Sequence, residues 1–82
     1  MFTVYVLKSK RNGKRYVGYT SKKPTLRLGE HNQGSNTWSR HNGPFSLIHT
    51  EKFPDKTSAI KRERFLKSDV GRKWLDSFLS DV

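Results

Sequence analysis

The dipeptide Asn12-Gly13 lies between two runs of β-branched and aromatic residues, Phe2–Ser9 and Lys14–Thr20. Asn-Gly between such runs is the strongest short-range signal for a β-hairpin, because the favoured turn needs positive φ angles that Asn and Gly tolerate. The sequence therefore predicts two antiparallel strands at the start of the fold. Gly18 interrupts the second run, and a glycine inside a strand often marks a bulge or the close approach of another group.

Further elements follow from helix signals and apolar spacing. A proline suits the first turn of a helix, an aspartate can cap one, and apolar residues at helical spacing indicate its buried face. The order ββαβαα predicts a single α+β domain over residues 1–82, with helices flanking a small, mainly antiparallel three-stranded sheet. After the hairpin, the predicted elements are a helix from Pro24 to Asn32, a loop over Gln33–Gly43, a strand over Phe45–Thr50, a helix from Asp55 to about Leu66 and a helix over Gly71–Leu79.

The charge balance is strongly basic, with 17 Lys and Arg against seven Asp and Glu and a net charge of +10. A field of this sign favours a polyanionic partner, most often nucleic acid, although charge can also serve solubility alone. No cysteine is present, which excludes disulfides and thiolate zinc sites. The first apolar run is too short for a signal peptide or membrane span, so we expect a cytoplasmic protein without a membrane partner.

Two tyrosines are expected on one face of the hairpin. Side chains alternate along a strand, so Tyr5 shares a face with Tyr16 and Gly18 for any hairpin loop with an even number of residues. Cross-strand aromatic packing explains two neighbouring phenols without any function. The bare glycine beside them allows a second interpretation, in which this face is the wall of a site.

The two longer predicted helices carry charged residues in informative places. Arg27 and His31 are four residues apart and project from the same side, which describes either a solvated basic face or part of a site. Glu63 falls within the apolar stripe of its helix. A buried carboxylate needs a cation, and the candidates are an arginine such as Arg27, in a structural ion pair, or a divalent metal.

An ordered set of motifs over roughly residues 2–68 resembles the GIY-YIG nuclease superfamily. In length the chain is similar to its small stand-alone bacterial proteins, which are related to the nuclease domain of UvrC and to structure-specific nucleases of the Slx1 type. The sequence departs from the pattern in having Val4 where the first motif has glycine and in lacking an asparagine after the glutamate helix. The segments that carry the resemblance are Val4-Tyr5-Val6, Tyr16-Val17-Gly18, Arg27-Leu28-Gly29-Glu30-His31-Asn32 and Ala59-Ile60-Lys61-Arg62-Glu63.

The resemblance implies an endonuclease that hydrolyses phosphodiester bonds in DNA with one divalent ion, Mg²⁺ or Mn²⁺. It implies structure-directed cleavage in repair or recombination. A phenol is a weak base at its ordinary pKa, so nearby cations must favour a phenolate base. The implied catalytic roles are Glu63 as metal ligand, Tyr16 as general base, Tyr5 as its support or the holder of the water, Arg27 on the scissile phosphate and His31 on the tyrosines or phosphate.

A second set of residues is expected to contact nucleic acid. Gly18 leaves room for a phosphate or water to reach the tyrosines. Trp38 can stack on a base, or it can instead close the small core. Basic side chains can contact phosphates without reading sequence; those expected to do so are Lys14, Arg15, Lys22, Lys23 and Arg40, with Lys8, Lys10 and Arg11 beside them.

Two other functions remain open at this point. The same fold and basic face suit a non-catalytic nucleic-acid-binding module, and a small nuclease can depend on a protein partner for target recognition. A module that only binds has no chemical need for all five of the implied catalytic residues. A third possibility is an interaction protein whose last helix, Arg72–Leu79, packs on a partner, although the small core needs the same apolar stripe.

Overall fold

The computed structural model describes residues 1–33 and 37–79, with the side chains of residues 37–39 outside the description. Three strands and four helices are assigned within these ranges. No helix among them is long and apolar enough to cross a membrane. The elements are β1 (Phe2–Ser9), β2 (Arg15–Thr20), α1 (Pro24–Asn32), α2 (Thr37–Asn42), β3 (Phe45–Phe53), α3 (Lys56–Lys67) and α4 (Asp69–Leu79).

The sheet is antiparallel with strand order β2-β1-β3, so the predicted α+β class with a three-stranded sheet is confirmed. The Ser9 amide donates to the Lys14 carbonyl at 2.8 Å, which closes a hairpin loop with four residues between them. Gly13 supplies the positive φ of this loop, at 76°. The even loop places Tyr5 opposite Gly18 and Leu7 opposite Tyr16, as alternation and the Asn-Gly signal predicted.

The two faces of the sheet pack differently. One face carries the larger apolar core and is covered by α3 and α4. The other carries Tyr5 and Leu7 with Phe45, and Leu28 of α1 packs against them. Tyr19 points to the α3–α4 side, so consecutive positions of β2 alternate between core and the α1 side. The buried residues of the larger core are Val4, Val6, Val17, Ala59, Leu66 and Leu75.

Local hydrogen bonds set the ends of the last two helices. The Asp55 side chain accepts from the Ser58 amide at 2.7 Å, the expected N-cap of α3. Ser68 ends α3 in an extended conformation, and its hydroxyl accepts from the Gly71 amide at 3.2 Å. This turn folds α4 against α3, and Gly71 lies buried at the contact.

The segment predicted as a loop contains the short helix α2. Its sequence has no apolar periodicity, so the pattern gave no signal for a helix. Contacts with the hairpin loop hold this helix: Asn12 Nδ2 donates to Asn42 Oδ1 at 2.8 Å, and Arg11 donates to the His41 carbonyl at 3.2 Å. The third strand also continues to Phe53, past the predicted end at Thr50.

We predict that Gly71→Ala lowers the free energy of unfolding by about 2 kcal/mol. A Cβ at this position would lie 1.8 Å from the Phe65 carbonyl oxygen and 2.7 Å from Leu66 Cα, so the two helices would have to separate. Gly29→Ala is the matched control, because nothing lies within 4 Å of its added Cβ. The control should gain up to about 1 kcal/mol from lower backbone entropy. Urea unfolding of both variants measures this difference, and equal stabilities would contradict the packing argument.

Candidate active site

An aromatic cluster lies where α1 covers the hairpin. Tyr5 comes from β1, Tyr16 from β2 and His31 from the end of α1. The ring centroids of Tyr16 and His31 are 4.6 Å apart, and those of Tyr5 and Tyr16 are 6.3 Å apart. The Tyr5 hydroxyl lies 3.3 Å from His31 Nε2. His31 is 0% exposed and Tyr5 is 1% exposed, so this polar contact is shielded from solvent.

Gly18 makes room for the Tyr5 ring. A Cβ on Gly18 would lie 2.6 Å from the Tyr5 hydroxyl oxygen, 2.7 Å from Cζ and 3.1 Å from Tyr16 Cε1. The first two distances are far inside van der Waals contact. The glycine in this strand therefore permits the phenol of the opposite residue to lie close against the backbone. The Tyr5 ring fills the space beside Gly18 that was expected to admit a phosphate or water.

Arg27 extends the network from the same helix as His31. Its guanidinium interacts with the Tyr5 hydroxyl, and this interaction raises the pKa of Arg27 above its ordinary value. A guanidinium can only donate, so the Tyr5 oxygen is the acceptor in this interaction.

The electrostatics keep both buried partners uncharged at neutral pH. Burial raises the pKa of the Tyr5 phenol; Arg27 opposes this shift, and the charge of Glu63 adds to it. Burial also lowers the pKa of His31 below its ordinary value of 6.5, and the Arg27 charge lowers it further. The cluster thus has a neutral centre, and its charged groups lie around that centre.

Glu63, on α3, lies near enough to this cluster for its charge to act on Tyr5. Its side chain is only 15% exposed, in agreement with its predicted place in the apolar stripe. Lys67, one turn later on the same helix, pairs with it at 3.4 Å. Of the two kinds of cation considered for Glu63, the arginine named as an example is engaged elsewhere, because Arg27 pairs with Glu30 at 2.8 Å, three residues along its own helix.

The donor set around Glu63 suits one kind of metal site. Among the described residues, no group of three or more His, Cys, Asp or Glu side chains is placed to hold an ion. Mg²⁺ is commonly bound through one or two carboxylates, with waters and substrate phosphates completing its shell. A largely buried carboxylate whose ion-pair partner is a half-exposed lysine fits this mode, with Glu63 as the protein ligand.

Asn32 is a positioning residue that the sequence analysis did not single out. Its Oδ1 accepts from the Phe45 amide at 2.7 Å, and its Nδ2 donates to the Phe45 carbonyl at 3.4 Å. The Phe45 ring in turn contacts His31, with centroids 6.1 Å apart. Asn32 therefore fixes the end of α1 to β3 and holds His31 against the tyrosines. Its place directly after His31 was the available signal.

The predicted nucleic-acid contacts fall into separate places. Lys14 and Arg15 line a groove together with Tyr16. Lys22 and Lys23 are exposed just before α1, and Lys22 lies 3.9 Å from Glu30. Arg40 is exposed on α2, and Lys8, Lys10 and Arg11 are exposed at the hairpin end. The side chain of Trp38 lies outside the described residues, so its role in stacking stays a prediction.

We predict that Gly18→Ala lowers the free energy of unfolding by about 1–3 kcal/mol, although alanine normally suits a strand interior better than glycine. The reason is the clash of the new methyl group with the buried Tyr5 ring. Urea unfolding of Gly18→Ala, Tyr5→Leu and the double variant forms a cycle. The cost of Gly18→Ala should shrink when Tyr5 is already leucine, and an unchanged cost would show that the ring is not the obstacle.

We predict that His31 titrates below pH 6.5, which two-dimensional NMR of the imidazole carbons measures directly. Arg27→Gln should raise this pKa without restoring the ordinary value, because burial remains. A folded-state pKa below the unfolded one means that the unfolded chain binds the proton more readily. The contribution of neutral His31 to the free energy of unfolding is therefore fully present above about pH 6.5. It is lost as the pH falls through the folded-state pKa. A pKa at or above 6.5 would contradict the argument that burial and the Arg27 charge disfavour protonated His31.

Comparison with known proteins shows which family this chain resembles. The family model of the GIY-YIG catalytic domain matches residues 1–75. A UPF0213 protein of Listeria welshimeri is 40% identical over 76 residues, covering 92% of this chain and 81% of its own. One from the archaeon Natronomonas pharaonis is 39% identical over 66 residues, covering 79% and 75%.

A solved relative shares the fold. The solution NMR structure of a UPF0213 protein from Bacillus halodurans is 34% identical, with a TM-score of 0.57 over 95% of this chain and 85% of that one. The matched region contains both hairpin tyrosines, the α1 residues and Glu63. Sequence match, fold and the convergence of these side chains agree, and the chain belongs to the GIY-YIG nuclease superfamily.

Proposed function

We propose that the protein is a divalent-metal-dependent endonuclease that hydrolyses phosphodiester bonds in DNA. We propose further that it selects DNA by structure rather than by sequence and acts in repair or recombination. The observation that supports cleavage most directly is the convergence of a shielded carboxylate, a guanidinium, a neutral imidazole and two phenols from four different elements. Family membership supports nuclease chemistry, and the net charge of +10 supports a polyanionic substrate.

The two tyrosines differ in ways that separate their roles. Tyr5 is buried, and its hydroxyl is already engaged with His31 and Arg27. Tyr16 is only partly buried and lines an open groove, so a water molecule can reach it. Tyr16 is therefore the proposed general base that takes the proton of the attacking water. Tyr5 and His31 hold the phenol of Tyr16 in place by ring contacts.

The charged residues act on the phosphate. Arg27 is partly exposed, and its planar donors suit a phosphodiester on which negative charge develops. Its ion pair with Glu30 and its contact with Tyr5 keep the guanidinium pointing in one direction. A divalent ion held by Glu63 would supply charge stabilisation at the leaving oxygen. The proposed role of Glu63 is to present its carboxylate for this purpose at the edge of the buried cluster.

A non-catalytic nucleic-acid-binding module is the second candidate. It is favoured by the number of cations on the surface and in the groove beside Tyr16, which binding alone would explain. A module that only binds nucleic acid would need the Tyr5–His31–Arg27 network for stability alone. The two candidates predict different results with the same DNA substrates.

We predict metal-dependent nicking of one or more members of a labelled DNA panel containing duplex, flap, branched and single-stranded forms. Tyr16→Phe and Glu63→Gln should each lower the cleavage rate by about 100-fold or more, and EDTA should abolish it. Tyr19→Phe is the matched control, because Tyr19 lies on the same strand but faces the α3–α4 core. Its rate should equal that of the wild type.

The other outcomes separate the candidates. Equal residual activity in all variants would indicate a contaminating nuclease and no activity of this protein. Salt-sensitive DNA binding without cleavage in any protein would favour the binding module. Loss of activity in Tyr19→Phe as well would show that the strand, rather than the phenol of Tyr16, is what the reaction requires.

A further inference from the structure

A basic groove of about 720 Å³ runs between the hairpin and the α3–α4 pair, on the side of Tyr16 away from α1. Four of its nine lining residues are cationic and none of the nine is acidic, although one of the four, Arg15, is ion-paired with Asp76. Tyr16 forms part of its wall, so the groove and the candidate active site share this residue. The four cations are Lys14, Arg15, Lys67 and Arg72.

Lys67 connects this groove to Glu63. Its side chain lines the groove and also lies 3.4 Å from the Glu63 carboxylate. Lys67 is 51% exposed, whereas Glu63 is 15% exposed. The lysine can therefore turn to another anion, but the carboxylate that it leaves needs another cation in its place.

We propose that the groove binds the backbone of the nucleic-acid strand beside the cleavage point, and that Lys67 couples strand binding to metal binding at Glu63. This inference rests on the proposed function, and it links the binding of the nucleic-acid substrate to the binding of the metal ion at Glu63. With the groove empty, Lys67 neutralises Glu63. With a strand in the groove, Lys67 pairs with a phosphate and Glu63 is free to hold a divalent ion.

Simple electrostatics require this linkage to act in both directions. A lysine and a divalent ion compete for the same carboxylate, because two cations close together repel each other. A phosphate that draws Lys67 away removes that competition and adds a negative ligand nearby. Coupling between two bound species is reciprocal, so metal at Glu63 must also strengthen strand binding in the groove.

The first arm of the test measures Mn²⁺ binding by the electron paramagnetic resonance signal of the free ion. In the absence of nucleic acid, Lys67→Gln should have an affinity for Mn²⁺ that is at least about 5-fold higher than that of the wild type. This factor is the lower end of the range for typical coupling between two sites. Lys61→Gln is the matched control, since Lys61 is an exposed lysine of α3 outside the groove, and it should change the affinity much less because its charge is screened. Equal affinities of the two variants would overturn the proposal.

The second arm adds a saturating phosphorothioate oligonucleotide, which resists hydrolysis and keeps its charge. Glu63→Gln reports the Mn²⁺ bound by the oligonucleotide itself, and this amount is subtracted. The oligonucleotide should tighten Mn²⁺ binding in wild type and in Lys67→Arg, which keeps the cation, but not in Lys67→Gln. Equal tightening in Lys67→Gln and wild type would overturn the coupling.

A third measurement tests the groove alone, by fluorescence anisotropy of the labelled oligonucleotide without metal. Arg72→Gln should weaken binding more than Lys61→Gln and lower its salt dependence, and equal effects would overturn the groove as the strand site. None of these readouts depends on cleavage. If the protein cleaves DNA but shows no coupling, the proposed function stands and the role of Lys67 is wrong. If binding is coupled but no DNA is cleaved, the role of Lys67 stands and the proposed endonuclease function is wrong.

Discussion

The placement of the Tyr5 ring over Gly18 is the contact on which the site depends. The antiparallel register puts these two residues opposite each other, and the absent side chain lets the phenol lie close to the strand. From this position Tyr5 meets His31 and Arg27 of α1. One pair of residues in the hairpin thus sets the position of the helix that completes the site.

Burial divides the site into a neutral centre and a charged surround. Tyr5 and His31 are shielded and uncharged at neutral pH, because burial moves their pKa values in opposite directions that both favour the neutral form. Arg27, whose side chain is 27% exposed, and Glu63, at 15%, each have an ion-pair partner on their own helix. A neutral, packed centre fixes geometry, and the charged groups lie at its edge.

Sequence reasoning succeeded where local rules decide the outcome. The turn signal and strand alternation predicted the register that unites Tyr5, Tyr16 and Gly18, and the apolar stripe predicted the burial of Glu63. It failed where tertiary contacts decide. Helix α2 has no apolar period and is held by the hairpin loop, and the candidates for the cation on Glu63 did not include Lys67, its partner on the same helix. The groove joins residues from distant parts of the chain, which no local pattern reveals.

The strong positive charge has opposite effects on the two expected ligands. A net charge of +10 attracts a polyanion but disfavours a divalent cation, and a single carboxylate already paired with Lys67 offsets that repulsion only in part. A nucleic-acid strand in the groove would lower the positive potential there, because each of its phosphates carries a negative charge. Under the proposed coupling, metal binding is therefore favoured chiefly when a strand is bound. With Glu63 as its one protein ligand, the ion would be held weakly by the free protein and firmly by the complex.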